Sequence, residues 1–266
     1  VLKIANSFFT GLLVIVLSSD LAHAAIRRVW AVDDGEKIKR EDITNPLASD
    51  PNNAVWNGTT VSLFGGKNEI VAFQLMIEGD ASGQTGVNVR ISDLSNGVST
   101  IPGSQAGSSN PFDYLGKSIE LFTEHYLLIT QRSVTGYHYH PASLPSAYYI
   151  SGWLPDALIP FVAPSGLGGA PFAVLANQNQ AVWVDVYIPR DVSEGIYTGT
   201  IEILVNSAVT HTIPISLQVF GFTVPDETHL QNVFYYNSYR SLTYAHGPAP
   251  SGWNDDFCDW YYDNID

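Results

Sequence analysis

The chain has one cysteine, Cys258, and one methionine, Met76, in 266 residues. A lone cysteine excludes an intrachain disulfide, so the fold must be held by a packed core. Cations are scarce. Twelve Lys and Arg stand against 26 Asp and Glu, giving a formal net charge of −14 and a pI near 4.7. This balance lacks the basic footprint of a nucleic-acid binder and the attraction to an anionic membrane surface. No convincing amphipathic helix, internal repeat or low-complexity tract follows residue 25. No G-x-S-x-G element nominates a nucleophile, and no cofactor is expected.

Long apolar runs are also missing, apart from Phe8 to Leu17 near the N-terminus. That run is too short to span a bilayer comfortably. Lys3 precedes it, and Ala22-His23-Ala24 puts small residues where a signal peptidase reads them. Residues 1–24 are therefore expected to be a secretory signal cleaved after Ala24, with a secreted or periplasmic product and no membrane attachment after cleavage. Asn57-Gly58-Thr59 is a glycosylation sequon and is taken as chance.

What the chain has in quantity is two-residue alternation. Val182, Val184, Val186 and Ile188 fall on one face, with Ala181, Trp183, Asp185 and Tyr187 on the other. Pro189 ends that run, and Asp191, Ser193 and Gly195 turn the chain. Tyr197, Ile201, Ile203 and Val205 define a second strand; Asn206 and Ser207 turn again; Ile213, Ile215, Leu217 and Val219 define a third. Pro214 lies inside the third strand, so its missing N–H must face an edge or a bulge. Upstream, Val61 and Leu63, then Val71, Phe73, Leu75 and Ile77, then Val87, Val89 and Ile91 repeat the pattern. Ile119, Leu121, Leu127 and Ile129 mark one or two further strands, and residues 26–32 an opening strand. Short alternating runs without helices predict an all-β protein, an immunoglobulin-like or jelly-roll-type β-sandwich over residues 25–226. The polar stretch up to Trp56 reads as a preamble, with the sandwich proper starting near Val55.

Two regions break the pattern. Residues 131–178 form an insertion rich in Pro, Gly and aromatics, with no strand period. A connection of that length is functional or interfacial. Past Pro225, residues 229–236 read as a fresh strand, and Asp255, Asp259 and Asp263 then stand at i, i+4, i+8, a spacing that weakens a helix. Residues 227–266 are expected to be the truncated start of a (β/α) barrel.

The candidate site residues follow from these regions. Asn237, Tyr239 and Arg240 come after the first expected barrel strand, and barrel active sites sit at strand C-termini. Tyr148, Tyr149 and Trp153 could stack on sugar rings or pack against a neighbouring domain. His138 and His140 offer two imidazoles, short of the three or four ligands a zinc site needs, and the Asp-rich tail lacks a calcium-loop spacing, so no metal is expected.

Five segments carry a resemblance: VWAVDDGEKIKRED (29–42), LFGGKNEIVAFQ (63–74), GWLPDALIPF (152–161), NQNQAVWVDVYIPRDVSEGIYTGTIEI (177–203) and IPISLQVFGFTVPD (213–226). Together they resemble the N-terminal β-sandwich domain of bacterial glycoside hydrolases of family 123 and their DUF4091-type relatives. The W-x-D-V-Y-x-P…G-x-Y-x-G-T element is the most specific part. In that family a barrel follows the sandwich, and an adjacent Asp-Glu pair serves substrate-assisted hydrolysis of N-acetylhexosaminides. The resemblance implies a carbohydrate partner for the parent enzyme and docking of the sandwich on the barrel. It places no catalytic residue in this chain, and Asp255-Asp256 does not substitute for the pair. Two other readings stay open: a stand-alone carbohydrate-binding module and a structural or adhesion sandwich.

Overall fold

A computed structural model describes residues 25–106, 116–130 and 151–227. The chain divides into two compact units, Val1–Val224 and Pro225–Asp266. The expected barrel start therefore lies almost wholly outside the described residues.

The first unit is the expected all-β sandwich. Its described strands are β1 (Ile26–Asp33), β2 (Val61–Lys67), β3 (Glu69–Gly79), β4 (Gln84–Ile91), β5 (Leu94–Ser95), β6 (Thr100–Ile101) and β7 (Ile119–Ile129), then β8 (Gly152–Pro160), β9 (Phe172–Val174), β10 (Asn179–Ile188), β11 (Gly195–Val205) and β12 (Ala208–Thr223). One sheet runs β1-β3-β10-β7-β8; the other runs β2-β12-β11-β4-β9, with β5 and β6 attached to β11. All pairings are antiparallel except β12 with β2.

The alternating residues meet between the sheets. Phe73, Leu75, Ile77, Val182, Val184, Val186 and Ile188 of the first sheet are buried with Val89, Ile91, Tyr197, Ile201, Ile203, Leu217 and Val219 of the second. Pro214 sits where its chemistry demands. It pairs with Thr200 of β11, and the ladder from β12 to β2 begins only at Ile215, so that flank is open at the proline.

The G-x-Y-x-G-T element has a structural reason. Tyr197 is fully buried, and its hydroxyl donates to the carbonyl of Ser193, four residues upstream, at 2.8 Å. Ser99 and Ser193 hydroxyls complete the cluster. This is the bond by which a tyrosine corner fixes the entry to a sandwich strand. A Cβ on Gly199 would meet the Asp93 carbonyl oxygen at 2.8 Å, so β5 can lie close only over a glycine. Tyr197→Phe is expected to cost about 1–2 kcal/mol, seen as a lower urea midpoint at an unchanged slope.

Two expectations are corrected. The polar stretch after β1 is no preamble, because β1 is already an edge of the first sheet. Residues 34–43 cross that sheet's outer face as a strap. Gln74 donates to the carbonyls of Asp33 (2.9 Å) and Glu36 (2.6 Å), and Asn179 to those of Lys39 (3.0 Å) and Asp42 (2.6 Å). At the far edge, Arg40 N–H donates to the Trp153 carbonyl and Lys37 Nζ to that of Pro155, both at 3.0 Å. Second, the insertion at 131–178 contains β8 and β9. Pro155 and Pro160 concealed β8, yet both are tolerable because β8 is an edge strand and shifts register at His125/Tyr126. Of the one or two strands expected over 119–129 there is one, continuous strand, interrupted only in polarity by Thr123-Glu124-His125.

Candidate functional site

The ladder between β10 and β7 runs only from Val182↔Thr123 to Val186↔Ile119. Beyond Thr123, β7 continues to Ile129 paired only with β8, while Asn179–Ala181 of β10 stay with β3. The two strands thus splay apart. Gln180 bridges the opening, its side-chain amide donating to the carbonyls of Glu124 and Ala181 at 2.9 Å each.

A cavity of about 530 Å³ lies at this split. Its polar border is Arg40, Thr123, Glu124, His125, Tyr126 and Gln180; its apolar border includes Leu127, Trp153, Ile159 and Phe172. Thr123 and Glu124 are only 6% and 4% exposed. Thr123 Oγ1, Glu124 Oε1 and Arg40 Nε are buried without a hydrogen-bond partner among the described residues. Burial pushes the Glu124 carboxyl up to about 7, against the opposing pull of Lys37 in the strap. Burial and the neighbouring Glu124 charge raise the Tyr126 hydroxyl. Glu124 thus titrates near neutrality, where it can either donate or accept a hydrogen bond.

Of the residues singled out in the sequence, Trp153 alone is described. It lies half-buried in β8, and the Arg40 guanidinium carbon stands 3.6 Å from its ring centroid. One face of the indole is therefore taken by a cation–π contact. Tyr148, Tyr149, Asn237, Tyr239 and Arg240 lie outside the described residues, as do His138 and His140. Among the described residues no group of three His, Cys, Asp or Glu is placed to hold a metal, and no helix is long and apolar enough to cross a membrane.

Sequence reading missed Thr123, Glu124, Gln180 and Arg40. The available signal was the polar triplet Thr123-Glu124-His125 inside an apolar strand, because burying polar side chains is costly and so marks a place worth inspecting. The W-x-D-V-Y-x-P element is structural instead. Trp183 Nε1 donates to Asp185 at 2.7 Å, and the Tyr187 hydroxyl donates at 3.0 Å to Asn68 in the β2–β3 turn.

A second surface stands apart from the cavity. Phe64 of β2 and Phe220 and Phe222 of β12 are 68%, 41% and 57% exposed. Their rings form a row, Phe64 and Phe220 tilted at 6.1 Å and Phe220 and Phe222 stacked at 6.0 Å. Gly66 leaves room for this row, because a Cβ there would meet the Phe222 ring at 2.3 Å.

No protein-family model and no curated protein matches the chain. Among solved structures, the fold is similar to part of a family 123 glycoside hydrolase from Clostridium perfringens, described for glycolipid glycan hydrolysis. The TM-score is 0.52 at 16% identity, covering 74% of this chain and 28% of that one. The N-terminal domain of PorA (TM-score 0.28, 9% identity, 73% of this chain and 98% of that one) also aligns. So does AvmM, which catalyses macrocyclization in alchivemycin A biosynthesis (TM-score 0.30, 8% identity, 65% and 96%). At those two scores the likeness carries no argument.

Proposed function

We propose that this chain is the non-catalytic N-terminal β-sandwich of a secreted glycoside hydrolase similar to family 123, whose chemistry belongs to a barrel domain following the sandwich. The observation that carries the reading is the overlap: a fold filling 74% of this chain corresponds to 28% of a hydrolase chain. The five segments that resemble the family supply independent support from sequence. On this reading the parent acts on N-acetylhexosaminides by substrate-assisted hydrolysis, one of the departures from the two-carboxylate scheme. Residues 1–24 would direct export, so the mature protein from an exporting host should begin at Ala25.

The Phe64–Phe220–Phe222 row is an exposed aromatic surface of the sandwich. An exposed aromatic row of this kind marks an interaction surface. The chain of 266 residues is expected to turn over a chromogenic N-acetylgalactosaminide no faster than buffer, while a longer gene product carrying the barrel does. It is also expected to bind a hydrophobic dye, and Phe220→Ser with Phe222→Ser should abolish most of that signal. Turnover by this chain alone would overturn the non-catalytic reading. A dye signal indifferent to the two substitutions would overturn the assigned interaction surface.

A further inference from the structure

We propose that Asn57 is a site of spontaneous covalent modification: the Gly58 backbone nitrogen displaces its side-chain amide, and the position ends as aspartate and isoaspartate. This goes beyond the hydrolase reading and requires neither a second domain nor an enzyme.

The chain has two Asn-Gly pairs, Asn57-Gly58 and Asn96-Gly97. Glycine carries no Cβ to obstruct attack by its own nitrogen, so both pairs have the reactive sequence. Their turns share one arrangement. Asn57 Oδ1 accepts from the backbone N–H groups of Thr59 (3.0 Å) and Thr60 (2.9 Å), and Asn96 Oδ1 from those of Val98 and Ser99 (2.9 Å each). Both glycines take a positive φ, 97° at Gly58 and 82° at Gly97. In each turn the two N–H groups polarise the amide carbon, and they bond more strongly as charge gathers on Oδ1.

The reacting nitrogens set the two turns apart. At Asn96 both are tied. The Gly97 N–H, the nucleophile, donates to Ser95 Oγ at 3.1 Å. Asn96 Nδ2, the leaving group, donates to Ser193 Oγ at 2.8 Å and to the Glu194 carbonyl at 3.4 Å. At Asn57 neither nitrogen donates to any group among the described residues. Asn57 and Gly58 are exposed, and nothing stands within 4 Å of where a Gly58 Cβ would be, so the peptide has room to rotate into attack. The base of the turn is fixed, because Trp56 pairs with Val61 and the Ser62 N–H donates to the Val55 carbonyl at 2.9 Å. The change is thereby confined to the tip.

The Gly58 nitrogen gives its proton to hydroxide and attacks Asn57 Cγ. The N–Cγ bond forms, the Cγ–Nδ2 bond breaks, and Nδ2 takes a proton from water and leaves as ammonia. Water then opens the five-membered imide at Cγ, which gives aspartate, or at the backbone carbonyl, which gives isoaspartate. Nothing is oxidised or reduced, and one negative charge is added to the −14 of the chain.

The test holds the 266-residue chain at pH 8, folded and, in parallel, unfolded in guanidinium chloride. Peptide mapping by mass spectrometry follows each asparagine, and enzymatic methylation counts isoaspartate. Unfolded, the two pairs are expected to convert at similar rates. Folded, Asn57 is expected to convert about tenfold or more faster than Asn96, which must first break its bonds to Ser95, Ser193 and Glu194. Ser95→Ala, at an exposed position, is expected to speed Asn96 and leave Asn57 unchanged. Equal folded rates, or a faster Asn96, would overturn the proposal. So would an Asn57 that survives in the folded chain while converting in the unfolded one, because the bonds to Thr59 and Thr60 would then protect the amide. An Asn96 rate indifferent to Ser95→Ala would overturn the tied nucleophile as the reason that Asn96 is spared.

Discussion

Replacing Glu124 by glutamine is expected to stabilise the sandwich by about 3 kcal/mol at pH 8 and to change it little at pH 4. The carboxyl lies at about 7 in the folded chain, against a model value of 4.5. Between those two values the folded state holds a proton that the unfolded state has released. Stability therefore falls as pH rises from about 4.5 to about 7, and above 7 the buried carboxylate imposes its full cost. Each pKa unit is worth about 1.4 kcal/mol, which sets the magnitude. Glutamine fills the same space without a charge and removes this dependence. Urea unfolding of parent and variant at pH 4, 6 and 8 measures it, and the difference between them cancels the other carboxylates, including Asp185, which burial also shifts upward. Parallel stability curves for the two proteins would show that Glu124 ionises freely, and the buried-acid picture of the split would be wrong. Lys37→Met should act in the opposite direction to E124Q at pH 8, because Lys37 is the charge that partly offsets the burial.

The second large effect is expected at the other end of the same sheet face. Arg28→Met should cost about 3 kcal/mol or more. Glu78 is 0% exposed, and Arg28 grips it through Nε to Oε2 at 3.1 Å and Nη2 to Oε1 at 2.5 Å. Trp30 Nε1 donates to the same Oε1 at 2.9 Å. Removing the guanidinium leaves a fully buried carboxylate with the indole as its remaining side-chain donor. Taking out one member of a buried pair costs more than the pair is worth, because the survivor keeps its desolvation penalty. The Arg28 side chain is itself 37% exposed, which places the expected loss at the low end of the range for such pairs. A double variant, Arg28→Met with Glu78→Leu, should recover most of the loss. If Arg28→Met alone unfolds at the parent's urea midpoint, Glu78 must have taken up a proton, and the ion pair is not what holds β1 to β3 at that level.

Both residues were legible as letters and illegible as partners. Glu78 ends an apolar run and Glu124 interrupts one, but a charged residue at a strand end or in a turn looks the same when the strand is exposed. The difference is the strap. Residues 34–43 read as polar and unstructured, and they are polar. Their backbone carbonyls at Glu36, Lys39 and Asp42, with that of Asp33 at the end of β1, accept from Gln74 and Asn179, and this covers a sheet face that alternation alone assigns to solvent. Only long-range pairing creates such a cover, because the donors lie tens of residues from the acceptors.

The sequence by itself determined the class of fold and most of its strands. Side chains alternate across a strand with a period of two, so Val182 to Ile188, Tyr197 to Ile203 and Ile213 to Val219 declare which face is apolar without reference to any partner. It also determined the turns, where Asn206 and Ser207 take the positive φ that reverses β11 into β12. Tertiary structure decided what borders the cavity. Where β7 leaves β10 after Thr123 is a matter of pairing and register, and local propensity carries no record of which neighbour a strand will lose. Tertiary structure also decided that a segment bearing two prolines becomes the edge strand β8, since a missing N–H is harmful only where another strand waits for it.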